Sequence, residues 1–310
     1  MPFTQPTMSL LSHYTSRAGL EGIAKSKCIR ATLFSQLNDK REIEYGYVEF
    51  LRRGFLGMFD EFDKVMPRLP GAKIPIEEAE KGFKEVFWKQ FEGKKASEPL
   101  YVASFARGKT QDHDDRGILT LWDRYTHLEG YCLQFREKDV RRIIELEATR
   151  RHYAFLTLDN VHYGMDEGTS EHRELAFQMK QLLLLEVLKG MPQLPIKPAF
   201  DQMWAFDSFA ARMLRYIAKH KDPFFEDERE TRIIGVPAKF AKAQFLTGIA
   251  SVKEAKQYPD GRSFIGIGED WRPGLEPSRI IIGPRANKDI SNVLPLFDNP
   301  PQVIVAKFPV

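Results

Sequence analysis

The stretch Phe225-Glu-Asp-Glu-Arg-Glu-Thr-Arg-Ile-Ile-Gly235 sets acids and bases at alternate positions and then runs into β-branched apolar residues. Strand side chains alternate with period two, so an extended backbone here places Glu228, Glu230 and Arg232 on one face. Three ionisable groups on one face of a buried strand must pair, bind a ligand or lie at a solvated edge. His13-Tyr14 presents an imidazole and a phenol to a pocket, or forms a satisfied histidine beside a core tyrosine. Ser104-Phe105 closes an apolar strand-like run, and Trp122 and Tyr125 follow. Their spacing puts both rings on one helix face, where they stack on a flat ligand or pack on a sheet.

Other chemistries lack their residues. There is no GxxxxGK[ST] loop, HExxH pair or GxSxG elbow, and Gly266-Ile-Gly268 is a GxG without its third glycine. Asp112-His-Asp-Asp115 has metal-ligand residue types, but adjacent residues rarely converge on one ion, and the surrounding Gly108, Lys109, Gln111 and Arg116 read as a solvated loop. No metal is expected. The net charge of +3, from 46 basic and 43 acidic residues, argues for no nucleic-acid surface. Cys28 and Cys132 are far apart in sequence and imply neither a disulfide framework nor a cysteine zinc site. No apolar run approaches the roughly 20 residues of a membrane helix, and the N-terminus lacks the pattern of a signal peptide. The expectation is a cytoplasmic protein without a membrane partner.

The elements that must hold these residues are mixed in order. Leu10–Tyr14 is a strand or the approach to a helix; Leu20, Ile23 and Ala24 have helical spacing, with Glu21 and Lys25 placed as a surface pair. Strands are expected over Ile29–Leu33, Tyr101–Phe105 and Tyr131–Phe135, with a short helix through Leu121 and Tyr125. Arg151–Tyr163 reads as one long strand or two, and further short strands as centred on Ile233, Phe264, Ile280 and Val303. Helices are expected from Asn38 towards Met66, over Ile76–Phe91, and over Ser170–Lys189 and Pro198–His220. Strands and helices do not alternate regularly. The fold class is therefore α+β, with a mixed, mainly antiparallel sheet. The chain reads as one domain over 1–310 with helical insertions near 40–92 and 169–220.

Taken in order, several of these pieces resemble one large bacterial family of unknown function. They are His13-Tyr-Thr-Ser16, Leu37-Asn-Asp39, Ser104-Phe105, Trp122-Asp-Arg-Tyr125, Gly130-Tyr-Cys-Leu-Gln-Phe135, the set Lys221, Phe225, Glu228, Glu230 and Arg232, and Ile281-Ile-Gly-Pro284. An N-terminal histidine strand, a central serine and aromatic element and a late glutamate are also similar to the ADP-ribosyltransferase superfamily. That resemblance implies NAD as substrate, bound as a small-molecule nucleotide by His13, Tyr14, Ser104, Trp122 and Tyr125. It implies Glu230 as the essential carboxylate and Glu228 as its assistant, which takes a proton from the acceptor. Ser104 stands alone where that superfamily has Ser-Thr-Ser, and the first strand offers a histidine where many members have arginine. The chemistry is consistent: breaking the glycosidic bond develops oxocarbenium charge, which a fixed carboxylate stabilises. The alternative expectation is a non-enzymatic binding or sensor module in stress or phage response, using the same cleft or the helical insertions.

Overall fold

The computed structural model describes residues 9–37, 45–46, 99–164, 169–175, 177–178, 212–237 and 251–308. Two compact units emerge, one of residues 1–33, 101–161 and 224–310 and the other of residues 34–100 and 162–223. The helices expected from Asn38 to Met66 and over Ile76–Phe91 lie outside the described residues, apart from 45–46, which are helical.

In the first unit the strands are β1 (Leu10–Thr15), β2 (Ile29–Leu33), β3 (Tyr101–Ala106), β4 (Tyr131–Arg136) and β5 (Arg151–Asn160). After β6 (His162–Tyr163) and β7 (His220–Lys221), which belong to the second unit, come β8 (Glu230–Pro237), β9 (Ser251–Val252), β10 (Lys256–Gln257), β11 (Ser263–Ile267), β12 (Arg279–Ile282) and β13 (Gln302–Val305). Among the described residues eleven of these form one sheet, mainly antiparallel, with parallel pairing only at β12–β13 and β5–β9. The class is α+β, as the element order predicts.

The centre of the sheet is a fork. All of one edge of β3 pairs with β8, from Tyr101 opposite Gly235 to Ala106 opposite Glu230. The other edge is shared: β2 pairs at Val102 and Tyr101, while β1 pairs only at Ala106, opposite Ser12. Between those points β1 turns away to run along β4, and β2 turns away to run along β11. Helix α1 (Arg17–Ser26) joins the two diverging strands and buries Leu20, Ile23 and Ala24. Ser16 caps its start by accepting a hydrogen bond from the Gly19 N–H, as a serine N-cap should. Glu21 pairs with Arg17 at 2.8 Å, in place of the expected Lys25.

Strand alternation then sorts the two faces. One carries Leu11, Phe105, Leu133, Phe135, Ile233, Ile265 and Ile280 into the main core with α1 and with α4 (Glu137–Arg150). Helix α4 was not among the sequence expectations, although Val140, Ile143, Ile144 and Glu147 have helical spacing and are its buried residues. The opposite face carries Cys132 and Ile281 against Trp122, and Ala106 against Ile118 and Leu121. Trp122 and Leu121 belong to α3 (Leu119–Thr126), which follows the short α2 (Gln111–Arg116). The solvated loop expected at Asp112–Asp115 is thus a helical turn, because Thr110 accepts from the His113 N–H and supplies an N-cap.

In the second unit β6 and β7 form a parallel pair, His162 opposite His220. The helix expected to reach His220 stops at 218, and His220 begins the strand instead. Its Nδ1 donates to the Tyr216 carbonyl at 2.6 Å, and its ring stacks with His162 at 5.4 Å between centroids. Burial, reinforced by neighbouring His162 and Lys219, pushes the His220 imidazole down to about 4, against the opposing pull of the Tyr216 carbonyl. The unfolded chain takes that proton near 6.5 and the folded chain only near 4. Stability is therefore whole above the first value and falls as pH drops towards the second, by up to about 3 kcal/mol. Denaturant midpoints taken from about pH 7 to about pH 4.5 should fall further for the wild type than for His220→Gln. Equal falls would remove His220 as the cause.

Candidate functional site

The charged segment is built differently from a plain strand. Pro223–Glu228 is a 3-10 turn, and β8 begins only at Glu230. Between them Arg229 takes φ +45°, a left-handed conformation uncommon outside glycine and asparagine. Pro223 favours the turn by fixing φ at its first position, and the Arg229 N–H closes it on the Glu226 carbonyl at 3.1 Å. Glu228 therefore leaves the strand alternation, which corrects the expectation of one extended row. Glu230 and Arg232 keep it.

Glu230 and Arg232 form a buried bidentate pair. Nε donates to Oε1 at 2.7 Å and Nη2 to Oε2 at 2.9 Å, with both residues at 5% exposure or less. Arg232 stands opposite Ser104 on β3 and Asp159 on β5, so a polar row crosses three strands on one face. Thr157 donates its hydroxyl to Asp159 at 2.7 Å beside it.

Glu228, 4% exposed, is gripped by α3. Arg124 is hydrogen-bonded to its Oε1, and the Tyr125 hydroxyl donates to its Oε2 at 3.1 Å. The Arg124 guanidinium also lies 4.9 Å over the Phe225 ring. The Tyr125 ring, 50% exposed, forms an aromatic lip beside the buried carboxylate to which its hydroxyl donates.

Tyr14 and Trp122 hold α3 in place. The Tyr14 hydroxyl accepts the Ile118 N–H at 2.6 Å, and its ring meets Trp122 edge-on at 5.0 Å. Burial, together with neighbouring Cys132, pushes the Tyr14 hydroxyl far up, so it remains protonated. Trp122 is fully buried and donates its indole N–H to the Arg116 carbonyl at 2.8 Å. Of the two rings expected to share a helix face, only Tyr125 presents itself to solvent.

The register brings Tyr14, Ser104, Trp122, Tyr125, Glu228 and Glu230 to the α3 side of the sheet. Ser12 pairs with Ala106 and Ala106 with Glu230, and the α3 side is where Ala106 packs. His13, one residue on, projects to the other side, opposite Leu133 and 5.7 Å from the Phe105 ring. Its Nδ1 donates to the Ser104 carbonyl at 3.0 Å, supplying a partner at the point where β1 leaves β3. Burial lowers the affinity of this ring for a second proton, and the Ser104 bond opposes that shift.

Cys132 is fully buried beneath Tyr14, and burial pushes its thiol up to about 12, which makes it a packing residue and no nucleophile. Among the described residues no group of three or more His, Cys, Asp or Glu side chains is placed to hold a metal ion. Nor is any helix among them long and apolar enough to cross a membrane. Arg124 was not singled out from sequence, although it sits inside the Trp122–Tyr125 motif. Its cue was being an arginine next to the ring that reaches Glu228. Comparison of the chain with protein-family models, with curated proteins and with solved structures returned no match.

Proposed function

We propose that this chain is an ADP-ribosyltransferase-like enzyme that transfers a glycosyl group from NAD. The observation that supports the reading is the pair of buried carboxylates at the mouth of β8. Each is fixed by a guanidinium, and one opens beneath the exposed Tyr125 ring. A carboxylate held rigidly in a water-poor place is what a developing oxocarbenium needs, because no solvent or side chain has to reorganise as charge appears. Glu230 supplies that fixed negative charge. Glu228, nearer the lip, takes the proton of the acceptor. Tyr125 offers the departing nicotinamide a flat apolar surface. Ser104 lines the same polar row, while His13 acts at the fork.

Glu230→Gln should keep the fold and lower nicotinamide release by at least about 100-fold, the scale set by losing one electrostatic contact to a transition state. The assay is nicotinamide release from NAD, read beside a melting curve. A wild type that neither releases nicotinamide with any acceptor nor melts higher in NAD removes the reading.

A second reading, a non-enzymatic binding module, draws on the Glu230–Arg232 pair, in which both carboxylate oxygens already hold a guanidinium. It predicts that NAD raises the melting temperature without any turnover.

A further inference from the structure

The carboxylate that meets the lip is held from α3, by two consecutive residues that grip opposite oxygens of one group. Arg124 takes Oε1 of Glu228 and Tyr125 takes Oε2. Neighbours in an α-helix point about 100° apart, so a shared target needs the carboxylate to lie between their two directions. That geometry tolerates little sliding of α3 along β8.

The anchoring is correspondingly firm. Tyr14 fixes the first turn of α3 through the Ile118 N–H, and Trp122 buries its whole side chain against Cys132 and Ile281. At the other end Phe225, from the same 3-10 turn as Glu228, carries the Arg124 guanidinium on its ring. The Glu228 side chain is only 5% exposed while that of Arg124 is 41% exposed. The carboxylate is thus shielded from the solvent screening that weakens most surface ion pairs. The left-handed Arg229 lets Glu228 leave the strand.

We propose that Arg124 is a positioning residue for Glu228, aiming its carboxylate at the acceptor, with Tyr125 steadying the second oxygen. The proposal rests on the glycosyl-transfer reading given above and adds to it a residue that need not touch NAD. Tyr14 and Trp122 act one step further back, by holding the helix from which the clamp projects.

The test is steady-state nicotinamide release by wild type, Arg124→Met, Arg124→Lys and Tyr125→Phe, with melting curves for each. Arg124→Met should lower kcat about 10-fold with KM for NAD within about twofold, the pattern of an interaction used only in the transition state. Arg124→Lys, which keeps the positive charge, should restore part of kcat. Should Arg124→Met fail to fold, the kinetics of Arg124→Lys and Tyr125→Phe decide: kcat lowered at unchanged KM supports the clamp, and wild-type kcat in both overturns it. A wild type that turns over while folded Arg124→Met keeps its kcat overturns the positioning role alone. A wild type with no turnover overturns the transfer reading, and the positioning role with it.

Discussion

Replacing Glu147 with alanine should cost about 3–5 kcal/mol of stability, the penalty for stranding one member of a buried ion pair. Glu147 is fully buried on the last turns of α4, and its Oε1 meets Lys253 Nζ at 2.8 Å, itself a buried group. The same carboxylate accepts the Tyr153 hydroxyl at 3.2 Å and the Gly268 N–H at 3.2 Å. One side chain therefore satisfies donors from β5, from the turn after β11 and from the segment after β9. Burial and the Glu147 charge push the Tyr153 hydroxyl far up, so it stays a donor throughout the working range. Asp270 and Glu269 lie 3.8 and 3.9 Å from Lys253 Nζ, which keeps the loss from growing larger. Replacing both partners by Glu147→Leu and Lys253→Met should recover only the part of the loss due to the unpaired Lys253 charge, since the Tyr153 hydroxyl and the Gly268 N–H still lose their acceptor. Denaturant unfolding of the two singles and the double supplies the numbers. A Glu147→Ala loss below about 1 kcal/mol, the scale of an exposed pair, would mean that the network is solvated.

The second large effect is expected at Arg232. Arg232→Met should also cost about 3–5 kcal/mol, since it leaves Glu230 buried without its guanidinium. Glu230→Gln retains an acceptor for the Arg232 N–H groups and Asp159 stays opposite, so its loss should be nearer 1–2 kcal/mol. The pair of variants separates stability from chemistry. If Glu230 serves only the fold, activity in Glu230→Gln should track the small fraction unfolded. If it serves the reaction, turnover collapses in a protein that melts almost normally. Loss measured by chemical denaturation in parallel with nicotinamide release distinguishes the two, and a Glu230→Gln loss as large as that of Arg232→Met would contradict the argument.

Much of this was legible from residue types. The near-continuous apolar runs Tyr101–Phe105 and Tyr131–Phe135 and the β-branched run after Thr231 announce strands that are buried on both faces. The helical spacing of Leu20, Ile23 and Ala24 gives α1, with its buried face. Helix α4 was readable by the same rule, but nine of its fourteen residues are polar or charged, and one of them, Glu147, belongs to the buried stripe itself. The turn at Arg229 was not readable. Left-handed backbone is advertised by glycine or asparagine, and here the surrounding bonds impose it on an arginine. Glu228 consequently looked like the first member of a strand row, when it belongs to a turn and answers to α3. The placement of His13 across the sheet from Glu230 depends on the register of β1, β3 and β8, which joins residues far apart in sequence.

The fork at β3 has a kinetic consequence. Its three partners arrive from distant parts of the chain, with Ser12 meeting Ala106, Thr32 meeting Val102 and Ile234 meeting Val102. None of these ladders can zip from a tight hairpin, so each must close a long loop before any of its hydrogen bonds form. Such topologies fold slowly compared with locally paired ones. Because β8 carries Glu230 and the turn before it carries Glu228, the two carboxylates meet the α3 side only when that last long-range docking is made. Helix formation should therefore run ahead of the appearance of the site during refolding, and a chain with its helices in place would still be blank at the mouth of β8.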